Sequence, residues 1–270
     1  MKINFSVILN SFERQSRFSD LKKSLHCLVN QSCQPKEILL VNSGNKKFDI
    51  CKFNIKKKMN IKIINCSKRT NISQAKNIGA KKAKFKYLAF LDDDDSWGNN
   101  YLKDTAKFIK KNNSSIILSD IYAKNNKKNS LFKKPNSNNF YDYIEYNIGA
   151  MGSNLVITKK KFLLVNGFDK RLITGEDKGI IIDLLLKKQK VFFQKNIVNY
   201  NLHTPGSITK QPLKVIQGYT AFYKKYKKIM TLKNKVHMLT RIFSYKKKIN
   251  IFFNLHFIFF VLFKIMLLKI

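Results

Sequence analysis

Short runs of aliphatic and β-branched residues alternate with helix-spaced segments from Phe5 to Ser119, and that alternation leaves few folds open. Phe5–Leu9, Glu37–Val41, Ile61–Ile64, Tyr87–Leu91 and Ser115–Ser119 read as strands bounded by polar turns. Between them, Phe18–Asn30 lines up Leu21, Leu25 and Leu28 at helical spacing, and Ser73–Ala83 and Tyr101–Lys110 predict two further helices. Strands separated by helices pair in parallel, because the crossover returns each strand in the same direction. The expectation is therefore an α/β chain with a mostly parallel, Rossmann-like sheet flanked by helices, binding its ligands at the carboxyl ends of the strands.

Asp92-Asp93-Asp94-Asp95 stands at one such end, directly after the apolar run Tyr87–Leu91. Only 16 of the 270 residues are acidic and the formal net charge is +37, so four adjacent carboxylates call for a cation to offset their repulsion. A divalent metal is the leading candidate, and a solvated acidic turn that ends the strand is the alternative.

The same charge invites a nucleic-acid reading, but only Arg14, Arg17, Arg69, Arg171 and Arg241 are arginines. Arginine supplies the planar fork that reads phosphate and base edges, so a lysine excess beside abundant Asn and Ile fits compositional drift and no specific nucleic acid is expected. The charge still favours nucleotide phosphates and acidic membrane surfaces. Cys27, Cys33, Cys51 and Cys66 form no CxxC pair and have no histidine at zinc-finger spacing, which predicts reduced, mostly buried thiols. The amino-terminal apolar stretch is too short for a signal peptide and has no cleavage site, so the expected compartment is the cytoplasm.

Further along, Lys124–Asn139 is rich in Asn, Lys and Ser and reads as a mobile surface loop, a lid on the acceptor side. Order returns at Gly152–Ile157, followed by a turn at Gly167-Phe168-Asp169. Gly175-Glu176-Asp177 then opens a helix through Ile180, Ile181, Leu184 and Leu185. Two carboxylates at a helix amino terminus are favoured by the helix dipole even without a chemical role.

Taken in order and spacing, these segments resemble the family 2 glycosyltransferases, which have the GT-A fold. The segments that carry the likeness are Ser6–Arg14, Gln31-Ser32, Glu37–Asn45, Ser73–Gly79, Phe90–Trp97, Gly167–Asp169 and Gly175–Asp177. The resemblance implies a nucleotide-sugar donor, with Asp92 and Asp94 at the positions that hold manganese or magnesium against the diphosphate. Asp94 is the expected direct ligand, and Asp93 is expected to reach the ribose or sugar hydroxyls. Asp95 is expected to cap the helix after Trp97. Asn10, Phe12, Asn42, Ser43 and Lys76 are the expected nucleotide contacts. Asp177 matches the catalytic base of an inverting, hexosyl-type transfer, with Glu176 supporting it. His203 resembles a late histidine near the metal and diphosphate.

Several positions depart from the family pattern. Asn42-Ser43 stands where paired aspartates are common, removing the usual carboxylate contact to a uracil imide and leaving the nucleobase open. Asn10 and Phe12 replace the more usual Thr and Tyr, Lys76 replaces an Arg, and Asn99 stands where a proline is frequent.

Residues 1–210 are read as the glycosyltransferase domain and 211–270 as a basic, then apolar, helical tail. From Ile249 to Ile270 the sequence is apolar on nearly every helical face, while Asn254, His256 and Lys264 oppose central insertion in a bilayer. Shallow insertion at an acidic cytoplasmic leaflet is the expectation, and docking on the catalytic domain or on a homo-oligomer partner is the alternative. The expected activity is metal-assisted transfer of a sugar to a glycan or lipid-linked acceptor, as in bacterial surface polysaccharide synthesis. Its rivals are a metal-dependent nucleotidyltransferase or phosphohydrolase and a non-enzymatic basic binding module.

Overall fold

A computed structural model of the chain describes residues 2–11, 18–44, 53, 59–66, 70–125, 128–201 and 208–248. The elements run β1 (Phe5–Ser11), α1 (Phe18–Val29), β2 (Glu37–Asn42), β3 (Ile61–Asn65), α2 (Ile72–Lys82), β4 (Tyr87–Asp92), β5 (Ser96–Trp97), α3 (Tyr101–Asn112) and β6 (Ile116–Asn125). They continue with β7 (Lys128–Lys133), α4 (Phe140–Glu145), β8 (Leu155–Thr158), α5 (Lys159–Leu164), α6 (Glu176–Leu186), β9 (Phe192–Tyr200), α7 (Pro212–Tyr226) and α8 (Leu232–Lys248).

The described strands form one sheet in the order β3-β2-β1-β4-β8-β6-β9-β5, with β7 paired to β6. The pairs β2–β3, β1–β2 and β1–β4 are parallel, as the alternation predicts. Strand β8 is antiparallel to both neighbours, β4 and β6, so the sheet is mixed beyond β4. β1 and β2 are buried along their whole length, as expected of strands covered on both faces.

Helix α2 shows how local sequence sets the packing. Asn71 and Gln74 close a capping box at its start, satisfying two amide donors that a helix amino terminus leaves unpaired. Gly79 faces β1 and β2 so closely that a Cβ would lie 2.6 Å from Ile8 Cγ2 and 3.0 Å from Val41 Cγ2. At the opposite strand ends, the buried Glu37 carboxylate accepts from Ser6 Oγ at 2.7 Å and Lys84 N at 2.6 Å, and pairs with Lys62 Nζ at 3.1 Å. Burial alone would raise the pKa of this group, but these donors outweigh it and hold it below the usual carboxylate range.

The segment Lys124–Asn139 corrects the loop expectation. Its first part falls in β6 and β7, which pair antiparallel, and among the described residues the stretch after Lys133 lacks regular structure before α4. Asn, Lys and Ser suppress the strand signal in sequence, yet they suit an edge hairpin that water can solvate. Cys27, Cys33 and Cys66 are free thiols and half-buried rather than buried, while Cys51 lies outside the described residues.

The chain divides into two compact units, one of residues 1–170 with 176–205 and one of residues 171–175 with 206–270. The second contains α7 and α8, and Gly218 of α7 leaves room for Thr174, whose Oγ1 would sit 1.9 Å from an added Cβ. Among the described residues no helix is long and apolar enough to cross a membrane. The apolar segment 249–270 lies outside them.

Gly79→Ala should destabilise the protein by about 1–3 kcal/mol in urea denaturation, because overpacking against the buried Ile8 outweighs the roughly 1 kcal/mol gained in helix propensity. An increase in stability would contradict this packing account.

Candidate active site

The chain leaves β1 for β2 and β3 on one side and returns to β4 on the other, so the carboxyl ends of β1 and β4 flank a crevice. Register places Asn10 beside Asp92, Ser11 beside Asn42, and Asn42 beside Asn65 along this edge. Asn10 is 7% exposed, and its Oδ1 has no hydrogen-bond partner. The Asn42 amide donates to Asn65 Oδ1 at 2.9 Å and accepts from Gly44 N at 2.9 Å. Ser43 Oγ donates to the Ser11 carbonyl at 3.2 Å. Three of the expected nucleotide contacts, Asn10, Asn42 and Ser43, thus share one edge; Phe12 lies outside the described residues.

The four aspartates divide by exposure. Asp93 and Asp95 are each 3% exposed, whereas Asp92 and Asp94 keep partial access to solvent. Asp93 accepts from Ser11 Oγ at 3.0 Å. Asp95 accepts from Ser153 Oγ and from Asn201 N at 3.1 Å, and its carbonyl accepts from Ser24 Oγ at 2.6 Å. Burial, reinforced by the charges of Asp94 and Asp92, pushes the Asp95 carboxyl well above the usual range. Asp95 therefore does not cap the following helix: α3 starts after Asn100, which makes no side-chain cap. It instead ties the end of β4 to the turn at Ser153 and to the residue after β9.

Ser153 was not singled out in the sequence. Its hydroxyl accepts from Asp92 N at 3.0 Å and its carbonyl accepts from Trp97 Nε1 at 2.8 Å, so it holds the aspartate turn from both ends. Its position in Gly152-Ser153-Asn154, just before β8, was the available signal.

Lys76, expected at the donor phosphates, is fully buried, with Nζ 3.2 Å from Asp92 Oδ1 and 3.2 Å from Glu176 Oε1. Its ammonium also lies 5.3 Å from the centroid of the Phe168 ring. Burial pulls its pKa down, but the charges of Asp92, Glu176 and Asp177 outweigh that and the net shift is upward. The lysine is thus held charged, and its charge reaches the crevice through Asp92. Gly152 makes the space, since a Cβ there would lie 2.3 Å from Nζ and 2.9 Å from Asp92 Oδ2. The next residue on α2, Asn77, donates to the Phe168 carbonyl at 2.7 Å and accepts from Phe168 N at 2.9 Å. Gly167, at φ +71°, lets the chain turn against Asn77 and Phe162.

Glu176 is buried on Lys76, while the adjacent Asp177 remains partly exposed at the start of α6. Burial and the charge of Glu176 raise the Asp177 carboxyl to about 7, against the lowering effects of Lys76 and the Lys178 N–H, which donates to Asp177 Oδ1 at 2.7 Å. Tyr200, also missed in the sequence, ends β9 in the same neighbourhood. Burial raises its phenol, followed by the charges of Asp95, Asp94, Asp177 and Asp92.

Among the described residues no three His, Cys, Asp or Glu side chains form a metal-binding group, and His203 lies outside them. Asp92 and Asp94 fit magnesium or manganese by donor chemistry. These ions take hard carboxylate oxygens, and magnesium in particular is held by one or two of them and completed by water and substrate phosphates.

The sequence model described as "Glycosyl transferase family 2" matches residues 6–169. A cholesterol galactosyltransferase of Borreliella burgdorferi is 26% identical over 229 residues, covering 77% of this chain and 62% of that protein. An uncharacterized glycosyltransferase of Rickettsia bellii is 30% identical over 201 residues, covering 73% of this chain and 29% of that protein. The chain therefore spans less than two thirds of the length of either relative. Among solved structures, S. aureus TarS 1-349 in complex with UDP-GlcNAc aligns with a TM-score of 0.66 at 16% identity, covering 90% of this chain and 72% of that one. The complex of the same protein with UDP aligns with a TM-score of 0.60 at 16% identity.

Lys76→Met removes the charge shared by Asp92 and Glu176 and should cost about 3–5 kcal/mol in urea denaturation at neutral pH. A loss below about 0.5 kcal/mol, typical of an exposed position, would show that the buried charges do not depend on the lysine.

Proposed function

Because the chain belongs to glycosyl transferase family 2 and has the GT-A fold, we propose that it transfers a hexose-type sugar from a nucleotide donor to an acceptor hydroxyl with inversion. The observation that carries this reading is the meeting of Asp92 and Glu176 on one buried ammonium, which brings the carboxylate end of β4 beside the start of α6. One group faces the leaving diphosphate, and the other presents a base.

The donor lies across the edge formed by Asn10, Asn42, Ser43 and the aspartate turn. The UDP and UDP-GlcNAc complexes of the structurally similar TarS support a nucleotide-sugar there. Asp92 and Asp94 hold the divalent ion, with His203 as an added ligand or phosphate contact, while Asp93 stays tied to Ser11. When bound, the ion neutralises charge that develops on the nucleoside diphosphate, without proton transfer.

Asp177 takes the proton of the acceptor hydroxyl as that oxygen attacks the anomeric carbon from the face opposite the leaving diphosphate. Its raised pKa suits the task, because a base near the working pH combines ionisation with driving force. Glu176 fixes the start of α6 through Lys76 and keeps Asp177 aimed at the crevice. The acceptor is a glycan or a lipid-linked molecule, and the galactosyltransferase similarity supports a hexose as the transferred unit. We place the reaction in bacterial surface polysaccharide synthesis, at the cytoplasmic face of the membrane. The basic tail and the apolar sequence after it support that placement.

A donor panel with manganese, scored by nucleoside diphosphate release and thermal shift, tests the reading. Asp94→Ala should abolish the metal-dependent part of the donor shift. Asp177→Asn should keep that shift and lower transfer by about 10²–10⁴-fold; transfer at the wild-type rate would remove the base assignment.

The pH dependence has a definite sign. The base works deprotonated, so kcat/KM should fall as pH drops through about 7. Glu176→Gln removes a like charge that raises the Asp177 carboxyl, so it should move this acidic limb to lower pH. A limb that moves upward, or not at all, would disconnect Asp177 from the profile.

A further inference from the structure

Phe132 and Tyr200 come from strands on opposite sides of β6. Ala123 of β6 pairs with Ser130 of β7 on one side and with Tyr200 of β9 on the other. The β6–β7 register slips between Ile121 and Tyr122, which leaves Phe132 as the extra residue of a bulge. Because Ala123 carries only a methyl group, the two aromatic side chains can approach across the strand between them. Their rings are near-parallel, 15° apart with centroids 5.9 Å apart. Ala123 is 3% exposed, whereas Phe132 stays 41% exposed, so part of its ring is open to a ligand.

The pair stands beside the proposed chemistry. The residue after Tyr200, Asn201, donates its N–H to Asp95 in the aspartate turn at 3.1 Å. The Tyr200 phenol also feels the charges of Asp94 and Asp177. The aromatic pair therefore neighbours carboxylates, which in their ionised form only accept hydrogen bonds. A sugar ring matches both: its rim carries hydroxyl donors, and one of its faces is mainly C–H. Lys133 holds its Nζ over the Phe132 ring, 5.5 Å from the centroid, and so adds a donor at the rim of the face that a sugar would share.

We propose that Phe132 and Tyr200 form the apolar wall of the acceptor subsite, stacking on the C–H face of a sugar ring whose hydroxyl is directed to Asp177. The acceptor is assigned to this wall because both rings belong to strands beyond β4, on the far side of the aspartate turn from the nucleotide contacts Asn10, Asn42 and Ser43 at the ends of β1 and β2. The proposal rests on the glycosyl-transfer reading above, and UDP binding tests that reading separately.

The experiment is saturation-transfer difference NMR on the full chain with UDP and magnesium. The probes are methyl β-D-glucopyranoside, methyl β-D-galactopyranoside and methyl N-acetyl-β-D-glucosaminide. Ring protons of at least one glycoside should take up saturation from the wild type. That signal should fall by about fivefold in Phe132→Ala, in line with the loss of one aromatic contact, and persist in Phe132→Tyr. Phe132 is exposed on an edge hairpin, so its truncation should leave the UDP thermal shift unchanged. No saturation of any glycoside in the wild type, or equal saturation in Phe132→Ala, overturns the proposal. A missing UDP shift in the wild type would instead count against the glycosyl-transfer reading itself.

Discussion

The ammonium of Lys76 is the interaction on which the candidate site depends. It is fully buried, and burying a lone charge costs several kcal/mol, so it persists only because Asp92 and Glu176 both stand 3.2 Å away. Those carboxylates belong to elements far apart in sequence, the end of β4 and the start of α6. Satisfying one lysine therefore brings the two halves of the site together. Gly152 has no side chain where the ammonium sits, and Asn77, the next residue on α2, clamps Phe168 through both hydrogen-bonding atoms of its side-chain amide.

The aspartate turn follows the same logic at shorter range. Four adjacent carboxylates would repel one another if all faced one way. The chain separates them by turning Asp93 and Asp95 inward onto Ser11, Ser153 and Asn201, which leaves Asp92 and Asp94 at the crevice. The negative field is not cancelled by this arrangement. Burial is the larger cause that lifts Tyr200 and Asp177 toward their neutral forms, and negative charge adds to it, from the aspartate turn at Tyr200 and from Glu176, then Asp92, at Asp177.

Much of this was legible from residue order. The strand and helix runs through Ser119 were readable because β-rich runs and helical spacing differ in period, and the site segments because they stand at strand ends. The hairpin at Lys124–Lys133 was not, since its Asn, Lys and Ser residues suit solvated edge strands and loops equally well. Ser153 and Tyr200 escaped for another reason. A serine or a tyrosine is ordinary by itself, and its role arises from neighbours some 58 and 106 positions away, as the Ser153–Asp95 bond and the Asn201–Asp95 bond beside Tyr200 illustrate.

The sequence by itself determined the alternating α/β architecture, the carboxylate turn after β4 and the Glu-Asp pair that opens α6, because each is written in local period, composition or spacing. Only the tertiary structure decided which carboxylates are spent on the fold and which face the crevice, and that Lys76 serves carboxylates rather than an open edge. It also decided that Phe132 and Tyr200 meet across Ala123. The physical reason is that burial and electrostatic pairing depend on distances between residues remote in the chain. Local patterns do not encode those distances; packing of the sheet and helices sets them.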